Sequence, residues 1–235
     1  MQLKRIVVLV LVLPLFGCSE QDDPRLDLLT ETESRPYEGV PLSEERVNEL
    51  RTDIKEYEDE VDSMVQDYGR IASFQKMLAN ELIQAEMYEP ALDALERAME
   101  IQNENAVLFY LAGVAAARSA RAHILDGEET DYLDKAERLF REALELRPDY
   151  HDALFGVAVL LAFDLDRPDD ALPYAQKLSR LETGEPSVKF LLANILVRNG
   201  MNEEAAAVYD ELARSAPSAE QRQQARENRD ALEAQ

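Results

Sequence analysis

Residues 136–149 read AERLFREALELRPD. Ala136 and Ala143 stand seven apart, so they share one face of a helix, with Phe140 on the same face between them. Pro148 closes the run, because proline cannot continue a helix. The arrangement recurs elsewhere. Ala91 and Ala98 hold the same spacing within residues 90–101, and Ala205, Tyr209 and Leu212 repeat the offsets ahead of Pro217. Each copy follows another amphipathic helical segment. Self-similarity at a fixed period predicts stacked helix pairs, each too small to bury its own apolar face and therefore dependent on its neighbours.

This pattern resembles the tetratricopeptide repeat, a 34-residue helix–turn–helix unit with small or aromatic residues at set positions and a proline near its end. The small positions are where two helices cross closely. The resemblance implies an all-α fold: a right-handed α-solenoid of about four helix pairs, with an acidic helix before it and a capping helix after it. It covers 72–219, with repeats at 72–105, 106–151, 152–185 and 186–219. The first places Leu78, Ala79, Leu82, Ala91, Leu95 and Ala98 in motif positions, and the second Phe109, Ala112, Gly113, Ala136, Phe140, Ala143 and Pro148. The second also carries an insertion, read as an extension of its first helix to about Leu125 and a turn at 126–129. The third departs most, with Val159 at a small position and Pro173 inside its second helix, where it should distort or delay the first turn. Residues 220–235 are polar, as suits a solvated cap.

Composition agrees with helix. The chain has 235 residues, few glycines (8), no Trp and one Cys. A disulfide scaffold is excluded by the single Cys. The 48 acids against 25 bases give a net charge of −23, which excludes a nucleic-acid binder, since phosphate would be repelled. A wholly disordered acidic chain is excluded by the 46% of hydrophobic residues.

The N-terminal part follows other rules. Lys4 and Arg5 precede an apolar run at 6–16, too short to cross a bilayer and patterned as a secretory signal. It ends in Leu15-Phe16-Gly17-Cys18, which resembles the lipobox of bacterial lipoproteins. That resemblance implies a signal peptide at 1–17, removal of which takes the net charge to −25. It further implies acylation of Cys18, with several chains giving a stable anchor, and, with Ser19 next, an outer-membrane site facing the periplasm. Residues 18–42, with Pro24, Pro36 and Pro41, read as a flexible tether. Residues 43–71 read as an acidic amphipathic helix capped by Ser43. Its apolar residues are Val47, Leu50, Ile54, Tyr57, Val61, Met64, Tyr68 and Ile71, an alternating 3–4 spacing. This stripe either packs on the first helices of the body, which the poor charge balance for self-pairing favours, or pairs with a copy of itself to make a homo-oligomer through 47–71.

No catalytic constellation stands out. There is no phosphate-binding loop, no His-Glu-x-x-His and no Gly-x-Ser-x-Gly. His123 and His151 have carboxylate neighbours, but two sequence neighbours do not close a metal site. The reading is a non-enzyme with no metal and no cofactor beyond the lipid on Cys18. By the family resemblance, partner protein would bind a groove lined by the first helix of each repeat: Lys76 and Asn80; Tyr110, Val114 and Arg118; Leu160 and Phe163, with Asp164 beside them; Phe190, Asn194 and Arg198. Lys76 and Asn80 match the start of a carboxylate clamp for C-terminal peptides, but Leu111, Ala153 and Val157 stand where its other polar residues would be. Arg118 and Arg198 are expected to fix polar groups of the partner. The expected function is an envelope adaptor, lipid-anchored in the periplasm. The alternative is an accessory lipoprotein of a solute transporter, binding a substrate-binding protein or an apolar ligand.

Overall fold

The computed structural model describes residues 43–122 and 129–233. The segments expected to be a signal peptide (1–17) and a tether (18–42, with Cys18) lie outside them, as do His123 and residues 124–128 of the insertion. Two compact units are distinguished, residues 1–57 and 58–235.

The first helix, α1, runs from Glu44 to Gln84. Ser43 starts it as the cap its position predicts: the Arg46 N–H donates to its Oγ (3.2 Å), and Glu44 and Glu45 occupy the first turn. The helix continues through 71 and 72, where the sequence reading divided an acidic helix from the first repeat. Nothing between 69 and 75 can stop a helix. There is no proline, and one glycine, Gly69, costs only about 1 kcal/mol. The stripe was expected to pack on the body. Instead Val61, Met64, Tyr68 and Ile71 are all at least 47% exposed. The residues laid against the body are Ala72 and Ala79, at 1% and 0% exposure. Ala72 lies one position beyond Ile71, the last stripe residue, about 100° round the helix, and Ala79 keeps the same face two turns on. The helix ends with Glu86 in the left-handed region (φ 59°), and the Met87 N–H returns to the Leu82 carbonyl (2.8 Å).

Eight further elements follow: α2 (Tyr88–Ile101), α3 (Ala106–Ala120), α4 (Glu129–Leu146), α5 (His151–Val159, continued as a π turn over Leu160–Asp164), α6 (Pro168–Leu181), α7 (Pro186–Arg198), α8 (Asn202–Ser215) and α9 (Ala219–Glu233). From α2 onward each packs on the next in chain order, and α3 also touches α5. That skip is what stacked helix pairs produce, first helix on first helix. The repeated alanines are the crossings. Ala91, Ala98, Ala136, Ala143, Ala171 and Ala205 all have 0% exposure. One core runs from Ala72 to Ile195; a second joins Ala193 and Leu196 to Tyr209, Leu212 and Ala225 of the C-terminal helices.

Helix α3 was expected to reach about Leu125, but it closes at Ala120 in a tight turn, with Ala122 N–H on the Ser119 carbonyl (2.9 Å). Pro168 supplies the first residue of α6, a position that lacks a helical donor anyway. Pro173 lies inside α6 without ending it. It is exposed, as is Asp169, whose carbonyl it deprives of a helical donor, so water can take the bond. Gly200 (φ 73°) closes α7, with Met201 N–H on the Leu196 carbonyl (2.9 Å), a turn only glycine adopts freely.

Candidate functional site

The site forms where α3 faces α5. Asn105 starts α3 by accepting the Val107 N–H on its side chain (3.1 Å). The sequence AVLFYLAGVAAARSA then sorts itself by face. Ala112, Gly113, Ala115 and Ala116 are buried at the crossings, whereas Tyr110, Val114, Ala117 and Arg118 follow at helical spacing along another face. From α5, Asp152, Phe155, Gly156, Val159, Leu160 and Asp164 form the opposite wall. Together these enclose a cleft of about 240 Å³ with the Phe140 ring at its floor.

The floor depends on two glycines. A Cβ on either Gly113 or Gly156 would lie 2.8 Å from Phe140 ring carbons, so the ring occupies the space both side chains leave. Phe140 is 2% exposed. Tyr110 stands over it, with centroids 6.1 Å apart, and meets Tyr150 edge-on at 5.2 Å. The Arg147 guanidinium caps Tyr150 at 3.7 Å from its centroid. Burial pushes the Tyr110 hydroxyl above its ordinary pKa, and the Asp152 carboxylate and Tyr150 add to the shift. Tyr110 therefore stays a neutral hydrogen-bond donor across the physiological range.

The walls differ in charge. Helix α3 and the residue after it bring Arg118 and Arg121; α5 and its π turn bring Asp152 and Asp164. Among the described residues these two arginines make no ion pair, although they are exposed. The π turn widens the backbone just where Leu160 and Asp164 meet the cleft: the Leu165 N–H reaches back to the Leu160 carbonyl (2.9 Å). Asp166 then takes the left-handed region (φ 51°), and Arg167 N–H closes on the Leu161 carbonyl (2.7 Å).

The expected groove residues separate into groups. Tyr110, Val114, Arg118 and Leu160 come together in the cleft, though Leu160 is 1% exposed and serves as wall rather than contact. Phe163 and Arg198 form a second group, the guanidinium 5.3 Å from the ring centroid and bonded to Asp166 (2.5 Å). Arg198 is thus already engaged within the chain. Phe190 and Asn194 form a third. Phe190 packs on Tyr209 (6.2 Å), whose hydroxyl donates to Asn194 Oδ1 (2.7 Å). Lys76 and Asn80 are half-buried on α1, away from the cleft. Arg121, Asp152 and Phe155 belong to the cleft and were absent from the sequence reading of the groove. Spacing alone could have found Asp152 and Phe155, since they share a face with Val159. Arg121, three residues beyond Arg118, follows the same face of α3.

Among the described residues no three His, Cys, Asp or Glu side chains gather into a metal site, and no helix is long and apolar enough to cross a membrane. His151 pairs with Glu182 (2.5 Å), not with the aspartates beside it in sequence.

The tetratricopeptide-repeat family model matches residues 132–177 and 157–220. A TPR repeat-containing protein of Borreliella burgdorferi is 23% identical over 184 residues, which cover 77% of this chain and 79% of that protein. The protein O-mannosyl-transferase Tmtc3 of Drosophila melanogaster is 30% identical over 105 residues, or 45% of this chain, which spans only 10% of that relative's length. Among solved structures, YrrB, a TPR protein with an unusual peptide-binding site, superposes with a TM-score of 0.55 at 22% identity, covering 68% of this chain and 75% of its own. Residues 132–220 are thus similar in sequence to the tetratricopeptide-repeat family, and the stacked helix pairs have the fold of a tetratricopeptide-repeat solenoid.

Proposed function

We propose that this chain is a non-enzymatic adaptor, anchored by lipid on Cys18 in the bacterial envelope and facing the periplasm, that holds an extended segment of a partner protein in the α3–α5 cleft. The observation that carries the binding role is the cleft itself: an aromatic floor between a wall with two arginines and a wall with two aspartates. A cleft of about 240 Å³ takes one or two side chains, not a folded surface. An apolar anchor would lie on Tyr110 and Phe155. Flanking residues of opposite charge would run toward the two walls, an apolar centre within a polar rim. The peptide-binding site named for YrrB supports this class of ligand. The lone Cys at the end of the signal-like segment supports the anchor.

A displayed peptide library selected on the full chain tests the cleft. Enriched peptides should carry an apolar residue flanked by an acid and a base. They should bind a Tyr110→Ala, Arg118→Glu variant of unchanged helix content at least about tenfold more weakly, as expected when an interface anchor worth more than about 1.4 kcal/mol is lost. Equal affinity for the folded variant, or failure to enrich any peptide, overturns the role.

A further inference from the structure

The apolar face that α1 leaves uncovered is not used by the cleft. In the second unit it comprises Val61, Met64, Val65, Tyr68, Ile71, Phe74, Met77 and Leu78, each 47–66% exposed. Eight large apolar side chains within 18 residues of one helix exceed the scattered exposure normal for a monomer. Their order identifies the kind of surface that covers them. Val61, Met64, Tyr68, Ile71 and Leu78 keep the 3.5-residue average of a two-helix seam, with Gln75 in the missing place. Val65 and Phe74 flank that seam on its two sides. The occupant is therefore another helix of matching period, and α1 itself is the one this chain supplies.

Charge selects the orientation. Residues 44–62 of α1 carry nine acids and three bases, whereas 63–84 carry two acids and two bases. A parallel pair would lay the acidic half on the acidic half. An antiparallel pair over 61–78 lays residues 55–62 beside 77–84 of the other helix and leaves 44–54 with no acidic counterpart, with Lys76 brought toward Asp62.

We infer that two copies of this chain associate through an antiparallel pairing of the exposed α1 face, Val61 of each lying near Leu78 of the other and Tyr68 near Ile71 about the two-fold axis. Alignment of residues 61–78 on themselves end to end sets that register, and it buries a seam about 26 Å long. The remaining like charges make association tighten as salt rises.

Sedimentation equilibrium on the full chain in non-ionic detergent measures the mass. The expected result is a dimer that becomes a monomer in Tyr68→Glu, Ile71→Glu, both exposed positions whose replacement leaves the core untouched. In a Cys18→Ser background, the double variant Val61→Cys, Leu78→Cys should form disulfide-linked dimers, and neither single variant should. A monomeric wild type overturns the proposal and leaves the face to the chain's own residues 19–42 or to a different protein. A dimer that persists in the glutamate variant places the interface elsewhere. Crosslinking of each single cysteine to itself establishes a parallel pair and overturns the antiparallel one.

Discussion

Phe140 shows how one ring and two missing side chains build both core and site. Gly113 of α3 and Gly156 of α5 clear the space it fills, from opposite sides of the crossing. An added methyl at Gly156 would meet ring carbons at 2.8 Å, so the ring would have to leave its packed place at the floor of the cleft. Gly156→Ala should therefore lower stability by about 1–3 kcal/mol, the usual cost of overpacking. In a Phe140→Leu background the same change should cost much less, and a double-mutant cycle in urea measures the coupling. A Gly156→Ala penalty that is the same in both backgrounds would show that the ring is not the obstacle. Gly113 was legible in the sequence as the small residue of its repeat. Gly156 was not, because its partner lies 16 residues away on another helix and no local rule relates the two.

At the scale of helices, pairs are locked by charge as well as by alanine. Glu137 of α4 accepts from Arg141 one turn on (2.7 Å) and from Arg167, at the start of α6 (2.7 Å), and Arg167 also holds Asp170. Burial pushes the Glu137 carboxyl up, but the hydrogen bonds from Arg141 and Arg167 outweigh it and hold the group below the usual carboxylate range. A carboxylate whose folded pKa is depressed contributes stability that is complete above its unfolded value of about 4.3 and is lost as pH falls through the lower folded value. Wild-type stability should thus decline through that acid window more than that of Glu137→Gln, and urea midpoints between pH 6 and pH 3 read the difference. Parallel declines would mean the α4–α6 tie adds nothing. The sequence marked α4 and α6 through their alanines, yet gave no sign of this link, since the partners are 30 residues apart. The length of α1 was misjudged for a related reason. Repeat register suggests where a helix should begin, whereas only a proline, a cap or a lost contact ends the one before it.

Across the whole chain, the pattern of small residues was enough to give the fold, because a repeat states its packing rule several times over. The candidate cleft was only partly legible. Of the expected groove residues the cleft unites Tyr110, Val114, Arg118 and Leu160, and Arg198 is turned instead to Asp166 and Phe163. Position within a repeat predicts which face a residue occupies, but not which neighbour already claims it. Repeat arrays are stabilised by adjacent units alone, so their ends open first. Backbone amides of α9, a strongly polar helix held at Ala225 and Leu232, should exchange with deuterium at least about tenfold faster than those of 108–116 in α3. Uniform protection would require one cooperative block. The core itself is partitioned at this end, with Leu196, Tyr209, Leu212 and Ala225 in a cluster separate from the one that runs from Ala72 to Ile195. That division sets how the molecule would be dismantled. An unfolding motor pulling from the C-terminus would strip α9 and α8 together in a single step. It would then stall on α7, where the larger cluster begins, and leave a trimmed product that still holds the α3–α5 cleft.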